Sequence, residues 1–245
     1  MTDDLLYADP ELVRFYDWEN PWTESFSFFA DLVEGSDRVL DLGCGTGLFG
    51  AELARRGHRV TGCDPAGAML DVARRRPDGE KVRWIEADAR SLALDEPFDM
   101  IVMTGHAYQT LLAPADRASL FAVIARHLAP GGHFFFDSRN PEARAWELWT
   151  ADATRATLPH PVFGMVERWN DVVFDAESGV VTYGTHYRLD DGRLFEAQSR
   201  IAFARKDEIE REIAAAGLRV DRWMGDYEGS PFTAKSREII PFGSL

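Results

Sequence analysis

Short apolar runs alternate with amphipathic segments through the first half of the chain. Three segments with the period of a helix predict α-helices: GLFGAELARRG, AGAMLDVARRR and PADRASLFAVIARHL. Five apolar runs predict buried strands: DRVLDLG, HRVTGCD, KVRWIEAD, FDMIVMTG and HFFFDS. Strands that alternate with helices form βαβ units, whose right-handed crossovers place helices on both faces of a parallel sheet. The pattern therefore predicts an α/β core.

The pattern changes after Ser138 and returns near residue 205. Residues 140–158 predict a helix, and the three runs that follow predict an antiparallel meander: GMVERWNDVVFD, GVVTYGTHYRL and RLFEAQSRIAFA. A final helix (KDEIEREIAAAG) and two final strands (LRVDRWMG and SREIIPFG) then resume the core. We therefore expect one core over residues 36–138 and 205–245, interrupted by an inserted helix and meander over residues 139–204.

The first 35 residues predict a helical cap on this core. Two helices are expected, separated at ENPW because the residue before a proline is disfavoured in a helix. Thr23 is expected to cap the second helix. The segment is dense in aromatic side chains, which form either a helix face packed on the core or a lid over a ligand: Tyr7, Tyr16, Trp18 and Trp22.

The stretch VLDLGCGTGLFG (39–50) follows the first predicted strand and supports two ligand predictions. Its later glycines spell G-x-G-x-x-G, which is typical of dinucleotide-binding loops but weak when it stands alone. Asp41 precedes the glycines, where a carboxylate repels a pyrophosphate and attracts a cation. Asp64 and Asp88 end the second and third strands, where open α/β sheets bind ligands, and they suit ribose hydroxyls and an adenine amino group respectively. These carboxylates favour the cationic nucleoside S-adenosylmethionine (SAM) over NAD.

Charge and cysteine content narrow the class of protein. The formal net charge is −14, which disfavours binding to nucleic acids or to anionic membranes. The two cysteines make neither a disulfide framework nor a zinc cluster, and the acidic N-terminus lacks the features of a secretory signal. No apolar run approaches the roughly 18 residues that span a membrane, and the histidines lack metal-ligand spacing. We therefore expect a cytoplasmic enzyme for a small molecule, without a metal.

Five stretches, in their order and spacing, resemble the class I SAM-dependent methyltransferases: VLDLGCGTG, VTGCDPAGAML, EADAR, FDMIVMTG and LAPGGHFFFDS. The resemblance covers about residues 36–138 and resumes at 205–242. It implies a Rossmann-like seven-stranded sheet in the order 3-2-1-4-5-7-6, with strand seven antiparallel. It also implies SAM as cofactor and S-adenosylhomocysteine as product.

The same resemblance implies a cofactor site built from the strand ends and the loops after them. The methionine part of SAM would contact Asp41, Gly43, Gly45 and Gly105, the ribose would contact Asp64, and the adenine would contact Met69, Asp88 and Ala89. Tyr16 is our candidate for a cofactor contact from the cap. Met69 suits a helix core face equally well, and Asp88 suits a turn.

Two stretches, MTGHAYQTLL and FFFDSRNPEA, resemble small-molecule N-methyltransferases similar to glycine N-methyltransferase. An arginine in the second stretch holds the substrate carboxylate in that family, and Arg139 has its place. His106 replaces an asparagine in the first stretch, and an imidazole titrates near neutral pH. His106, with Tyr108 second, is our candidate for a base or an orienting group. Arg139 and Tyr227 are the candidates for acceptor contacts, although a loop role for His106 and a salt bridge for Arg139 stay open.

We expect methyl transfer to a small-molecule acceptor, with nitrogen preferred over oxygen because of Arg139. The alternatives are a SAM-binding protein without transfer activity, a protein that uses SAM for different chemistry and, more distantly, an NAD-dependent dehydrogenase. Four residues of the meander are expected either to wall the acceptor pocket or to form a homodimer interface: Trp169, Tyr183, His186 and Tyr187.

Overall fold

Strands and helices alternate along most of the chain in the computed structural model, which describes residues 4–245. The strands are β1 (Arg38–Leu42), β2 (Arg59–Asp64), β3 (Arg83–Glu86), β4 (Phe98–Met103), β5 (Leu128–Phe136), β6 (Ser138–Arg139), β7 (Ala156–His160), β8 (Gly164–Asp175), β9 (Val180–Leu189), β10 (Leu194–Ala202), β11 (Arg219–Met224) and β12 (Glu238–Ser244). The α-helices are α1 (Leu5–Ala8), α2 (Pro10–Glu19), α3 (Glu24–Leu32), α4 (Leu48–Arg55), α5 (Gly67–Arg75), α6 (Pro114–His127), α7 (Ala151–Thr154) and α8 (Lys206–Ala215).

The core sheet has the strand order β3-β2-β1-β4-β5-β12-β11. Strands β1 to β5 are parallel to one another, and β12 is antiparallel to both β5 and β11. The two-residue β6 continues beyond β5 and pairs with the start of β12. The predicted seven-stranded sheet is confirmed, including the insertion of the last strand between its fifth and sixth members.

Alternate residues of the strands face two hydrophobic layers. Leu40 of β1 lies in one cluster with Leu120 of α6 and Ile209 of α8. Val39 of the same strand lies in the other cluster with Phe29 of α3. Successive side chains of a strand point to opposite faces, so one short apolar run serves both layers. Helices therefore cover both faces, and in open α/β sheets of this kind ligands bind at the carboxyl ends of the parallel strands.

The inserted unit is a separate antiparallel sheet in the order β10-β9-β8-β7. Strands β8 to β10 confirm the predicted meander. The helix predicted over residues 140–158 is wrong, because that segment contains two 3₁₀ turns, the four-residue α7 and strand β7, which pairs with β8. Arg144 has a left-handed φ of 49°, which ends any helix passing through it.

Helix α2 joins the two sheets. Its Phe15 stacks on Tyr187 of β9 with ring centroids 4.2 Å apart, and its Val13 packs with Met69 of α5. The sequence predicted a single helix before ENPW, but two are present, because the Asp9 side chain accepts the Glu11 N–H and caps α2 separately from α1.

The break between α2 and α3 lies at ENPW as predicted. Thr23 precedes α3, but its hydroxyl lies 2.6 Å from Ser25 Oγ instead of capping a backbone N–H. No helix within residues 4–245 combines the length and the hydrophobicity of a membrane span.

Candidate active site

A cavity of about 770 Å³ lies between the carboxyl ends of the parallel strands, helix α2 and the inserted sheet. Most of the predicted site residues line it: Tyr16, Gly43, Gly45, Asp64, Met69, Asp88, Ala89, Gly105, His106 and Arg139. Asp41, Tyr108 and Tyr227 lie outside its lining. The structure thus brings both halves of the predicted site to one cavity.

The glycine loop after β1 turns sharply at the edge of this cavity. Gly43, Gly45 and Gly47 have φ values of 69°, 53° and 74°, a region that residues with a side chain rarely adopt. A Cβ on Gly47 would also lie 2.5 Å from the Trp84 ring. Gly50 lies inside α4, so the G-x-G-x-x-G match does not correspond to a three-glycine turn.

Asp64 ends β2 and faces the glycine loop. Its Oδ2 accepts a hydrogen bond from the Gly45 N–H at 2.9 Å, and its Oδ1 accepts one from the Ala66 N–H at 2.8 Å. Burial raises the pKa of Asp64, while the two N–H donors lower it. Because each carboxylate oxygen has two lone pairs, the fixed Asp64 side chain can still accept from neighbouring hydroxyl groups of a ligand.

Asp41 is a buried carboxylate behind the glycine loop. It is 1% exposed, and neither of its oxygens has a hydrogen-bond partner in the described chain. Burial, together with the negative charge of Asp64, raises the pKa of Asp41 to about 8. A cation beside this carboxyl would favour its ionised form, whereas a phosphate would oppose it. The residues present therefore fit SAM better than a dinucleotide.

The region predicted to hold adenine combines an apolar floor with one carboxylate. Met69 and Ala89 are buried and line the cavity. Asp88 Oδ1 accepts from the Arg90 backbone N–H at 2.8 Å and from Arg90 Nε at 2.9 Å. This pairing lowers the pKa of Asp88, so the side chain stays ionised. Asp88 has the turn role that the sequence left open, and it also faces the cavity.

His106 follows β4 in an unusual backbone conformation. Its φ is 61°, a region in which histidine and asparagine are several-fold more common than most other residues. Its N–H donates to Asp137 Oδ1 at 3.0 Å, which fixes the turn. The replacement of asparagine by histidine at this place therefore preserves the backbone and changes the side chain.

The His106 ring belongs to a buried polar network. Its Nε2 lies 2.9 Å from Glu238 Oε2, 3.2 Å from the Tyr227 hydroxyl and 3.5 Å from Asp137 Oδ2. The Tyr227 hydroxyl donates to Asp137 Oδ2 at 3.0 Å. Burial lowers the pKa of His106 to about 4 and raises the pKa of Glu238 to about 7. The His106 ring is therefore uncharged at neutral pH. Tyr227 contacts this ring and lies outside the cavity lining.

Arg139 projects from β6 into the same cavity. Its Nη1 donates to Gln109 Oε1 at 2.9 Å, and its guanidinium lies 5.2 Å from the centre of the Trp149 ring. Gln109 is itself held by the Ala202 carbonyl of β10. No carboxylate in residues 4–245 lies within 4.0 Å of the Arg139 guanidinium, in contrast to the salt bridge considered from the sequence. A held guanidinium that forms no salt bridge suits an anionic group of a ligand.

Tyr108 does not have the position that the sequence predicted. Its ring is 1% exposed and stacks on Phe136 with centroids 4.3 Å apart. Its hydroxyl donates to Glu212 Oε2 of α8 at 3.3 Å. The geometry therefore assigns Tyr108 to the core and removes it from the candidate catalytic residues, because it cannot reach a molecule in the cavity.

The cap and the inserted sheet provide hydroxyl-rich walls. The hydroxyls of Tyr7 and Tyr183 lie 3.3 Å apart, and a Cβ on Gly45 would lie 3.9 Å from the Tyr16 hydroxyl. Alternate positions of β9, which share one face of the strand, line the cavity: Tyr183, Thr185 and Tyr187. Trp169 and His186, also suggested from the sequence, stack on each other at 4.9 Å away from this lining.

Sequence reasoning missed Glu238, Asp137 and Asn170. An antiparallel strand starts at the edge where its parallel neighbours end, so the glutamate near the start of the predicted strand SREIIPFG was a traceable signal for Glu238. Asp137 follows the apolar run of β5 at the same edge. Asn170 of β8 had no signal of its own, because its place opposite Thr185 depends on strand pairing.

The arrangement has two chemically distinct sides. One side has the glycine loop with Asp41 and Asp64, and the other has an uncharged imidazole and a guanidinium. Such a cavity can hold a cationic nucleoside beside a second molecule and can accept a proton from that molecule. In the described part of the chain, no group of three or more His, Cys, Asp or Glu side chains is arranged to hold a metal ion.

Comparison with known proteins agrees with this geometry. The family model described as "Methyltransferase domain" matches residues 39–132. A cypemycin N-terminal methyltransferase from Streptomyces is 31% identical over 203 residues, which cover 82% of this chain and 80% of that protein. A ubiquinone biosynthesis O-methyltransferase from Stutzerimonas stutzeri is 33% identical over 126 residues, about half of either chain (50% and 53%).

A solved structure shares the whole architecture. The sugar N-methyltransferase KedS8 from Streptoalloteichus superposes with a TM-score of 0.77 at 18% identity, covering 98% of this chain and 95% of that one. A likeness at this identity supports the fold. Together with the extent of the cypemycin relative and the fit of the loop to SAM, these findings show that the chain belongs to the class I SAM-dependent methyltransferases.

Proposed function

We propose that this protein transfers a methyl group from SAM to the nitrogen of a small amine that also carries an anionic group. The observation that supports this most is the common cavity of His106, Arg139 and the glycine loop. His106 supplies an uncharged base, and Arg139 supplies a guanidinium that forms no salt bridge. The glycine loop supplies a binding site for a cationic nucleoside.

The residues that would hold SAM follow from the fit of the loop. Asp64 would accept from the ribose hydroxyls, Asp41 would balance the positive charge, and Met69 with Ala89 would pack on the adenine. When bound, SAM supplies a methyl group on a positively charged sulfur. Tyr16, beside Gly45, would cover this part of the cavity and exclude water.

The inserted unit over residues 139–204 is proposed as the acceptor-recognition part. Arg139 would bind the anionic group of the acceptor through its unoccupied guanidinium edge. Tyr183, Thr185 and Asn170 would contact the rest of the molecule with hydroxyl and amide groups. The residues of the proposed acceptor wall thus come from β6 and from the inserted sheet.

The preference for nitrogen over oxygen is supported by the relatives, and the His106 ring is compatible with it. An ammonium group must lose a proton before its nitrogen can attack, and an uncharged imidazole accepts one. The cypemycin relative, named for methylation of an N-terminus, aligns over most of the chain. The O-methyltransferase relative aligns over about half of it.

The test uses four probes built on one aromatic ring: 4-(aminomethyl)benzoate, benzylamine, 4-aminobenzoate and 4-hydroxybenzoate. Each is incubated with the protein and isotopically methyl-labelled SAM, and the products are identified by mass spectrometry. We expect 4-(aminomethyl)benzoate to be methylated on nitrogen and to be preferred over benzylamine. Methylation of 4-hydroxybenzoate alone would replace nitrogen by oxygen as the acceptor atom.

A binding measurement separates the remaining alternatives. Calorimetry with SAM, S-adenosylhomocysteine and NAD is expected to show binding of the first two only. SAM binding without methylation of any probe would indicate that the protein binds SAM but does not transfer its methyl group to these acceptors. Binding of NAD in place of SAM would contradict the assignment of the loop.

A further inference from the structure

We propose that Glu238 and His106 form the proton-accepting pair of the reaction. In this pair, His106 Nδ1 takes a proton from the ammonium group of the acceptor, and the Glu238 carboxylate holds the ring through Nε2. The inference rests on the proposed transfer to nitrogen and extends it by a residue that no motif indicated.

The fold brings Glu238 to His106 from a distant part of the chain. β12 enters the sheet antiparallel beside β5, so its first residue lies at the edge where β4 and β5 end. Glu238 pairs with Arg139 of β6 across the two strands. Its Oε2 lies 2.9 Å from His106 Nε2, and the two side chains are 14% and 17% exposed. The contact is therefore short and largely shielded from solvent.

The surroundings of Nε2 select the tautomer of the ring. Nε2 faces the oxygens of Glu238, Asp137 and Tyr227. The Tyr227 hydroxyl donates to Asp137, so above the Glu238 pKa of about 7, where this carboxyl is ionised, no neighbour of Nε2 is left to donate to it. At such pH values Nε2 carries the proton and donates it to Glu238, which leaves the lone pair on Nδ1. Nδ1 has no hydrogen-bond partner in residues 4–245, and His106 lines the cavity.

Charged groups surround the pair from each neighbouring element. Asp137, at the end of β5, favours a positive ring, while Arg139 of β6 opposes it. Arg139 and Arg237 both favour an ionised Glu238, and Tyr227 lies between Asp137 and the ring. Burial opposes a charge on either partner, so the His106 ring stays uncharged until it takes up a proton.

The proton transfer balances within the cavity. The N–H bond of the acceptor's ammonium breaks, its electron pair stays on the nitrogen, and a new N–H bond forms at His106 Nδ1. The ring is then positive, and its charge is stabilised by the Glu238 carboxylate at Nε2 and by Asp137. After the product leaves, Nδ1 releases the proton to solvent and the ring returns to its uncharged form.

The test compares two probes that share a carboxylate and differ in the charge of the amine. 4-(Aminomethyl)benzoate is an ammonium at neutral pH, whereas 4-aminobenzoate is already uncharged and needs no base. Glu238→Gln is expected to lower kcat for the first probe by about tenfold or more and His106→Gln by about a hundredfold, because general-base catalysis is lost. Both variants are expected to change kcat for 4-aminobenzoate by less than about threefold.

The control variant is Glu142→Gln, which removes an exposed carboxylate near Arg139 and is expected to leave both rates unchanged. Equal losses for both probes in Glu238→Gln would show a structural role and overturn the pair. A second readout is the pKa of the His106 ring, measured by NMR on the protein without SAM. Glu238→Gln should lower this pKa, and an unchanged pKa would also overturn the pair. If the unaltered protein methylates neither probe, that result counts against transfer to nitrogen. The NMR measurement would still show whether Glu238 affects the pKa of the His106 ring.

Discussion

The Gly45 N–H donates a hydrogen bond to Asp64 Oδ2 at 2.9 Å and so connects the glycine loop to the end of the neighbouring strand. The Asp64 carboxylate fixes the loop, and we propose that its remaining lone pairs accept from a ligand. A substitution at Asp64 is expected to affect both the loop and the bound nucleoside.

Asp64→Ala should weaken SAM binding by more than about 1 kcal/mol, because two hydroxyls of the ribose lose their acceptor and the Gly45 and Ala66 N–H groups lose theirs. Asp64→Asn keeps one carbonyl acceptor and should lose less. Calorimetric titration with SAM measures both variants. Unchanged affinity in Asp64→Ala would reject the ribose contact.

Asp41→Asn should stabilise the protein in the absence of ligand at alkaline pH. The pKa of Asp41 is raised to about 8, so its protonated form is favoured by the folded state. Stability from such a group is present below the unfolded pKa of about 4 and is lost as the pH rises through about 8. The variant and the parent should therefore have similar unfolding free energies near pH 4 and diverge toward pH 8, as measured by denaturant unfolding. A difference in unfolding free energy that stays constant with pH would contradict the raised pKa of Asp41.

The same carboxyl predicts proton release on SAM binding. Near pH 7 Asp41 is largely protonated in the free protein, and a cation placed beside it favours the ionised form. Calorimetry in buffers of different ionisation enthalpy should detect a proton released with SAM, less release with S-adenosylhomocysteine, which lacks the sulfonium charge, and none in Asp41→Asn. Equal release in the variant would assign the proton to another group.

Arg139→Lys should reduce kcat/KM for 4-(aminomethyl)benzoate by roughly tenfold and should leave benzylamine nearly unchanged, because a lysine cannot form the two-point contact of a guanidinium with a carboxylate. Arg144→Lys is a matched control, since Arg144 is exposed and pairs with Glu147. Comparable losses on both probes would show that Arg139 maintains the shape of the cavity and does not bind the carboxylate of the probe.

Gly47→Ala should destabilise the protein by about 2 kcal/mol or more, because Gly47 combines a left-handed backbone with a Cβ position 2.5 Å from Trp84. Gly57→Ala is the control: Gly57 also has a positive φ, of 101°, but nothing lies within 4 Å of its Cβ position. Thermal unfolding of the two variants separates backbone strain from the steric clash. Equal destabilisation of the two variants would mean that the Trp84 ring moves away from the new Cβ without a measurable loss of stability.

The sheet and the positions of most residues around the glycine loop could be predicted from the sequence because their signals are local. Asp41, Gly43 and Asp64 lie on or directly after apolar strands, and the edge rule for open sheets brings them together without knowledge of distant contacts. The acceptor side was harder to predict. Tyr108 follows the same strand end as His106, yet one turn of 3₁₀ helix directs its ring into the core.

The segment 140–158 shows the same limit. Its composition suits a helix, but the left-handed Arg144 and the pairing of β7 with β8 override that preference. Pairing between strands is a tertiary property, so neither β7 nor the meeting of Glu238 with His106 has a signature within a short window.

The antiparallel insertion of β12 has a consequence for the order in which the protein is made. The glycine loop, His106 and Arg139 leave the ribosome well before residues 238–244, yet β11 can join the sheet only through β12. While residues 238–244 are still missing, both β6 and β5 lack their pairing partner β12. If Glu238 and His106 act as the proposed pair, proton removal therefore requires pairing between strands that are far apart in the sequence, which is a contact that forms slowly.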